Sequence, residues 1–306
     1  MIKKAMILAA GFGKRLNPLT LNCPKPLLKI GEETLISNTI KFLSSFKVEE
    51  IIINVHYLGN QIIEYINKKD FNLSTNIVLE KDQILDTGGG ILNAIDHFSN
   101  EPFIVVNPDT IWNLSYIKYL KLMEKEILNN QKNKCTLLIV NKKKSFDKKF
   151  KGDFNFENNS INRKNKENLN YIYTGLQIIK PEIFSGVSKK IFSMNTIWDQ
   201  LIKRNELYGV ESRLDFLHVS NLDIYNKLME IHFVLGDFKY DNEHLITDIS
   251  HSILGLANSM IHQVYTRYVM QSKYLDSKST FKIATLAPLE HPESAEPIQK
   301  LVINLK

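Results

Sequence analysis

A glycine-rich turn is the part of this sequence whose residue types and spacing point most directly to chemistry. Gly11 and Gly13 follow an apolar run that starts at Ala5, and Arg15 comes two residues later. Glycines directly after a strand let backbone N–H groups approach a phosphate chain with no Cβ in the way. A guanidinium adds a planar fork of donors for phosphoryl oxygens. The turn therefore predicts a cradle for a chain of phosphates.

A lysine between two prolines follows the turn. The ammonium of Lys25 is a compact positive charge, and Pro24 and Pro26 stiffen its backbone, so less entropy is lost when phosphate binds. Two familiar glycine loops do not fit. Leu16 stands where the Rossmann fingerprint requires a third glycine, and Lys14 lacks the upstream glycine frame of a Walker A loop. We interpret the stretch as an active-site loop of another kind.

Two further segments place glycines or an acid next to a predicted strand. Residues 85–90, LDTGGG, lie between the third predicted strand and a helix, where glycines could let the backbone meet a flat base or ribose. The plain start of a helix explains them equally well. Residues 105–110, VVNPDT, put Asp109 at the carboxyl edge of a sheet, where ligands bind in open α/β folds. A solvated loop aspartate is the alternative there.

The elements that must position these residues show a regular alternation. Short β-branched runs alternate with stretches of helical period, which is typical of parallel βαβ units. The early predicted strands are residues 5–10, 50–55, 76–79, 102–107 and 135–140. The pattern predicts a Rossmann-like doubly wound α/β fold with a mostly parallel sheet. Residues 214–220 are also strand-like, and Asn195 is a plausible N-cap for a later helix.

Composition sets limits on the class of protein. At 306 residues, with 43% hydrophobic and 24% charged, the chain is neither disordered nor collagen-like. Its net charge of +6 suits a phosphorylated substrate as well as nucleic acid. Two cysteines, Cys23 and Cys135, exclude a disulfide framework and fit a reducing compartment. Because no apolar stretch is long enough to span a bilayer, we expect a cytoplasmic protein with no membrane partner.

The stretch that starts at Met6, MILAAGFGKRLNPLTLNCPKPLLKIGEETLI, resembles closely the signature of the sugar-phosphate nucleotidyltransferases. These enzymes join an NTP to a sugar 1-phosphate and release pyrophosphate. The resemblance implies Arg15, Lys25 and Asp109 as catalytic residues, with Mg²⁺ held by Asp109. The nucleotide-binding residues that it implies are Ala10, Gly11, Gly13, Thr87, Gly88 and Gly89.

Later segments resemble one branch of that family, which makes UDP-N-acetylmuramate from N-acetylmuramate 1-phosphate in cell-wall recycling. The matching segments are LDTGGGILNAI, GDF at residues 152–154, YTGLQIIKPEIF and FSMNTIWDQLI, within a likeness that covers residues 3–230. Branches that use mannose, glucose or heptose 1-phosphate share the front half. The resemblance thus implies UTP and N-acetylmuramate 1-phosphate as partners, with the other sugars as alternatives.

The sequence departs from the family at a second metal-holding aspartate, which commonly precedes an apolar residue, glycine and threonine. The matching positions here are His218, then Ser220 and Asn221. Imidazole is a poor ligand for Mg²⁺, so either Asp109, phosphates and water hold the metal, or it binds weakly. A strand residue that faces a polar interior is the alternative for His218. His218, together with Pro108 beside Asp109, leaves open the alternative that the chain is a catalytically impaired regulatory protein that binds a nucleotide-sugar.

We expect residues 1–230 to form the catalytic domain and residues 231–306 an extension of unknown role, helical and then irregular. That extension could serve a homo-oligomer or bind a partner. Residues 142–166 are basic and carry several phenylalanines, as a single-strand-binding surface does. A solvated hairpin or flap over the sugar site explains them without a new partner, so we expect no nucleic-acid partner.

Overall fold

The structure is a computed structural model that describes residues 1–164 and 167–235. The chain divides into two units, Met1–His232 and Phe233–Lys306. The predicted helical and irregular extension, beyond Leu235, lies outside the described residues. Among the residues that are described, no helix is long and apolar enough to cross a membrane.

Strands and helices alternate along the described residues. The strands of the described residues are β1 (Lys4–Leu8), β2 (Lys29–Ile30), β3 (Glu33–Thr34), β4 (Glu50–Val55), β5 (Ser74–Leu79), β6 (Phe103–Val106), β7 (Cys135–Asn141), β8 (Asn155–Glu157), β9 (Ser160–Asn162), β10 (Tyr171–Ile179) and β11 (Leu207–Ser212). The α-helices in the same part of the chain are α1 (Leu35–Ser45), α2 (Gly59–Lys68), α3 (Asp86–Asn93), α4 (Ile117–Asn129), α5 (Met194–Arg204) and α6 (Leu222–Leu235).

Nine of these strands form one sheet, in the order β5, β4, β1, β6, β10, β7, β11, β9, β8. β1 pairs in parallel with both β4 and β6, whereas β10 runs antiparallel to its neighbours β6 and β7. Seven strands run in one direction, and β9 and β10 run in the other. The predicted Rossmann-like, mostly parallel α/β sheet is therefore confirmed.

The order of the strands creates a switch point beside β1. The chain moves outward from β1 to β4 and β5, and then returns to the other side of β1 with β6. Where the order of parallel strands reverses in this way, the loops at their carboxyl ends separate and leave a crevice. The loops that follow β1 and β6 carry the glycine turn and Asp109, so the topology brings both motifs to one place.

Helices cover both faces of the sheet because the strand residues alternate between two cores. Ala5 and Ile7 of β1 face a core that includes residues of α1, α2 and α4. Met6 faces the opposite core, which includes residues of α3 and α5. All three strand residues are fully buried. This is the three-layer arrangement that the alternation of strands and helices predicts.

Two local predictions differ from the structure. Residues 214–220 do not form a strand and make only isolated bridges, Phe216 with Ser145 and His218 with Thr110. The N-cap of α5 is Ser193, not Asn195. Ser193 is extended (φ −79°, ψ 148°) and its side chain accepts a hydrogen bond from the Asn195 backbone N–H, so Asn195 lies inside the first turn.

Candidate active site

A cavity of about 410 Å³ opens at the carboxyl edge of the sheet, at the switch point beside β1. Elements distant in sequence contribute to its wall, because each parallel strand ends at the same edge. The predicted site residues that line it are Ala10, Gly11, Gly13, Arg15, Lys25, Thr87 and Asp109.

The two glycines of the turn do different things. Gly13 has a positive φ of 64°, and a Cβ there would lie 3.0 Å from Thr20 Cγ2 and 3.1 Å from Lys25 Cβ. Gly13 is thus required by the backbone and by the close approach of the segment that carries Lys25. The Thr20 hydroxyl donates to the Gly13 carbonyl at 3.0 Å and holds the turn. Gly11 is exposed, with nothing within 4 Å of where its Cβ would be, so it leaves room for a ligand.

Lys25 and Asp109 form an ion pair in the cavity wall. Lys25 Nζ lies 2.5 Å from Asp109 Oδ2, and the two side chains are only 14% and 16% exposed. Burial by itself raises the pKa of the Asp109 carboxyl, but His218 and Lys25 outweigh it, and the pKa falls to about 2. Asp109 is therefore an anion at neutral pH.

His218 packs beside this pair. Its Nδ1 lies 3.6 Å from Asp109 Oδ1, and its ring stacks on Phe216 with centroids 5.4 Å apart. Burial, together with the positive charges of Lys25 and Arg15, outweighs the attraction of Asp109 and lowers the pKa of His218 to about 4. Since the imidazole is neutral above that pH, Lys25 is the cation that keeps Asp109 ionised at pH 7.

Asp109 fits the role of a metal ligand. Its Oδ2 is taken by Lys25, whereas Oδ1 is buried and has no hydrogen-bond partner among the described residues. A buried carboxylate oxygen with a free lone pair is the kind of donor that divalent cations take. Within residues 1–164 and 167–235, no three His, Cys, Asp or Glu side chains gather as a ligand set. Phosphate oxygens and water would therefore have to complete the coordination.

Two polar residues of the cavity wall, Asn54 and Glu80, were missing from the sequence prediction. Asn54 Oδ1 accepts from the Ala9 backbone N–H at 2.9 Å, and Asn54 Nδ2 donates to Glu80 Oε1 at 2.7 Å. Glu80 Oε2 accepts from the Leu85 N–H at 2.8 Å. This chain of hydrogen bonds fixes the loop after β1 against the start of α3. Both residues lie at carboxyl ends of parallel strands, a signal that the sequence did offer.

Gly88 and Gly89 lie behind the cavity wall rather than in it. Their backbone N–H groups donate to the Phe192 carbonyl at 2.9 and 3.0 Å. A Cβ on Gly88 would lie 2.4 Å from the Phe192 ring, and one on Gly89 would lie 2.1 Å from the Lys190 carbonyl oxygen. The neighbouring Thr87 lines the cavity and accepts from the Met194 N–H at 2.9 Å. The glycines thus let α3 approach the 190–192 segment closely.

Ser220 and Asn221, which follow Val219, have polar partners. Ser220 lines the cavity, and its hydroxyl donates to Asp147 Oδ2 at 2.6 Å. Asn221 Oδ1 accepts from the Ile224 N–H at 3.0 Å at the start of α6. These contacts fix the segment that follows His218.

Comparisons with known proteins identify the family. The sequence model of the family described as Nucleotidyl transferase matches residues 4–163, more than half of the chain. The chain belongs to the nucleotidyl transferase family. It is similar to a Caulobacter vibrioides protein named N-acetylmuramate alpha-1-phosphate uridylyltransferase, with 28% identity over 224 residues, 72% of this chain and 92% of that protein.

Two other proteins are similar to this chain, one over a shorter stretch of its sequence and one in its fold. A mannose-1-phosphate guanyltransferase from Schizosaccharomyces pombe is 36% identical over 112 residues, 35% of this chain and 31% of that enzyme. A solved UDP-glucose pyrophosphorylase complexed with UDP-glucose has a TM-score of 0.62 at 19% identity and covers 76% of this chain and 99% of its own. The solved UDP-glucose pyrophosphorylase shows that this chain shares its fold. By family, the chain is a sugar-1-phosphate nucleotidyltransferase.

Proposed function

We propose that this protein transfers a uridylyl group from UTP to N-acetylmuramate 1-phosphate, releasing pyrophosphate and forming a UDP-sugar for cell-wall recycling. The observation that carries the transfer reaction is the shared cavity of Arg15, Lys25 and Asp109 at the switch point. The choice of base and sugar is supported by the Caulobacter vibrioides relative, which is similar to this chain over most of both lengths.

The reaction needs positioning and charge neutralisation more than proton transfer. A sugar-phosphate oxygen attacks the α-phosphorus in line, a new oxygen–phosphorus bond forms, and the bond to the β-phosphate bridging oxygen breaks. Because the nucleophile is already an anion at neutral pH, no general base is required. The work of the protein is to align the two phosphates and to offset their negative charge.

Each chain residue has a proposed part in that work. The backbone of the exposed residue Gly11, the Gly13 turn and Arg15 hold the β- and γ-phosphates, since all three line the cavity. Lys25 offsets charge on the α-phosphate. Asp109 offers its buried Oδ1 to a divalent cation, Mg²⁺ by the family resemblance, which would neutralise phosphate charge when bound.

In this proposal the nucleoside contacts Ala10 and Thr87, which line the cavity. Gly88 and Gly89 support that part of the wall by allowing α3 to pack against residues 190–192. The chain of hydrogen bonds through Asn54 and Glu80 links the loop that follows β1 to the start of α3.

The experiment is pyrophosphate release with each NTP and a panel of sugar 1-phosphates, followed by the mass of the product. We expect the highest kcat/KM for UTP with N-acetylmuramate 1-phosphate. A clear preference for mannose, glucose or heptose 1-phosphate would favour the other branches, as the Schizosaccharomyces pombe relative allows. Nucleotide binding without release would favour the regulatory protein suggested by His218 and Pro108.

A further inference from the structure

We propose that Asp109 and His218 form a mixed oxygen–nitrogen ligand pair that makes this site prefer a divalent first-row transition metal over Mg²⁺. The inference deepens the proposed function and rests on it for the phosphate oxygens that complete the coordination. It concerns the class of metal and not the identity of the base or sugar.

The separation of the two donor atoms suits a shared metal. His218 Nδ1 and Asp109 Oδ1 are 3.6 Å apart, too far for a hydrogen bond between them. Two ligand atoms that each lie about 2.1 Å from one metal, at a tetrahedral angle, are themselves about 3.4 Å apart. The observed separation is therefore close to that of two donor atoms on one metal.

Both donors have a lone pair available. Asp109 Oδ1 is buried with no hydrogen-bond partner in the described part of the chain. The Thr110 hydroxyl oxygen lies 3.4 Å from His218 Nδ1, but it donates its own proton to the Thr174 carbonyl at 2.7 Å. Thr110 therefore does not donate to Nδ1, and the proposal requires the tautomer with the ring proton on Nε2, in which the Nδ1 lone pair faces Asp109.

The backbone and the aromatic neighbours fix the positions of Asp109 and His218 relative to each other. The Val219 N–H donates to the Asp109 carbonyl at 2.8 Å, and Thr110 and His218 form an antiparallel bridge. The imidazole lies nearly parallel to the Phe216 ring, at 17°, while the Phe150 ring lies at 83° to the imidazole with centroids 5.6 Å apart. A ligand pair fixed before binding loses little entropy when the metal arrives.

The chemistry of the donors sets the preference. Mg²⁺ takes oxygen ligands in octahedral geometry, whereas imidazole nitrogen suits the later first-row divalent metals. One carboxylate oxygen and one nitrogen thus weaken the site for Mg²⁺ more than for Co²⁺ or Zn²⁺, and Mn²⁺, which also accepts oxygen ligands, lies between these metals and Mg²⁺. The positive charges of Arg15 and Lys25 nearby oppose a bare cation, so the metal should bind together with a phosphate chain.

The test uses the full chain with Mn²⁺ and inorganic triphosphate, a probe that needs no assumption about base or sugar. Pulsed electron paramagnetic resonance detects ¹⁴N coupling to Mn²⁺ if an imidazole is bound, and ³¹P coupling reports the phosphates. Competition titrations give the ratio of Mg²⁺ to Mn²⁺ dissociation constants. The variants are H218D, H218N as a neutral second replacement, and H97N as a control at an exposed histidine.

We expect ¹⁴N coupling in the wild-type and H97N proteins and its loss in H218D and H218N. The preference for Mn²⁺ over Mg²⁺ should fall about tenfold in H218D, which restores an oxygen donor. Mn²⁺ bound without ¹⁴N coupling, coupling that survives both His218 variants, or no Mn²⁺ bound by the folded protein with triphosphate would each overturn the inference.

Turnover is measured separately, so the two proposals can fail independently. Pyrophosphate release without nitrogen coupling leaves the proposed function standing and removes the metal inference. If nitrogen coupling is seen but no NTP and sugar 1-phosphate give pyrophosphate, the metal inference stands and the proposed function is removed.

Discussion

The Lys25–Asp109 ion pair predicts that these two residues are coupled in stability as well as in turnover. At an effective dielectric constant of 20, unit charges 2.5 Å apart attract by about 7 kcal/mol, and the cost of desolvating both groups reduces that figure. Removing one partner of a buried pair costs about 3 to 5 kcal/mol. Because these side chains retain 14% and 16% exposure at the cavity wall, we expect about 3 kcal/mol for K25M.

A double-mutant cycle isolates the interaction. The single variants K25M and D109N and the double variant should give a coupling free energy of about 2 kcal/mol, since the double variant leaves no uncompensated charge. The pair Lys68 and Glu64 on α2 is the matched control, with N···O at 3.6 Å and 78% and 68% of the side chains exposed. For this exposed control we expect a coupling below about 0.5 kcal/mol.

Urea unfolding of the four proteins in each cycle gives these free energies, with m-values checked for constancy. A coupling for Lys25 and Asp109 no larger than that of the control would refute the reasoning from burial and distance. In turnover, K25M and D109N should each lose orders of magnitude in kcat/KM. Activity retained in both variants would reject their placement in the catalytic machinery.

Three further predictions follow from packing and burial. G89A should lower stability by about 1 to 3 kcal/mol, because its Cβ would lie 2.1 Å from a backbone oxygen, whereas G11A should leave the Tm unchanged; equal Tm values would contradict the close contact. E80Q should lower the free energy of unfolding by about 1 to 3 kcal/mol, because one of the two N–H groups that donate to Glu80 loses its acceptor. An unchanged free energy in urea unfolding would refute this reasoning. Burial raises the pKa of the Cys23 and Cys135 thiols, and Cys135 is fully buried. A thiol reagent at pH 8 should therefore modify the native protein slowly at Cys23 and not at Cys135. Rapid labelling of Cys135, located by mass mapping, would contradict its place in the core that includes residues of α3 and α5.

Local patterns in the sequence were enough to predict much of the sheet. Residues 50–55 form the strand β4 with the predicted bounds, because β-branched residues in a fully buried parallel strand leave a continuous apolar run. Gly13 was predictable for a similar reason, since a tight turn after a strand needs a residue that tolerates positive φ. The helix start at Ser193 was not, because Ser193 and Asn195 are both good N-cap residues and only backbone conformation separates them.

The sequence by itself determined the succession of strands and helices, the glycine turn and the family, since each depends on residues close together in the chain. Only the tertiary structure decided that Lys25 pairs with Asp109, 84 residues away, and that Asn54 and Glu80 tie the loops of the cavity together. It also decided that His218 lies beside Asp109. Asp109 Oδ1, the carboxylate oxygen that is 3.6 Å from His218 Nδ1, has no hydrogen-bond partner among the described residues. Such contacts depend on which strands end side by side at the switch point. Local residue preferences do not specify that order of strands in the sheet.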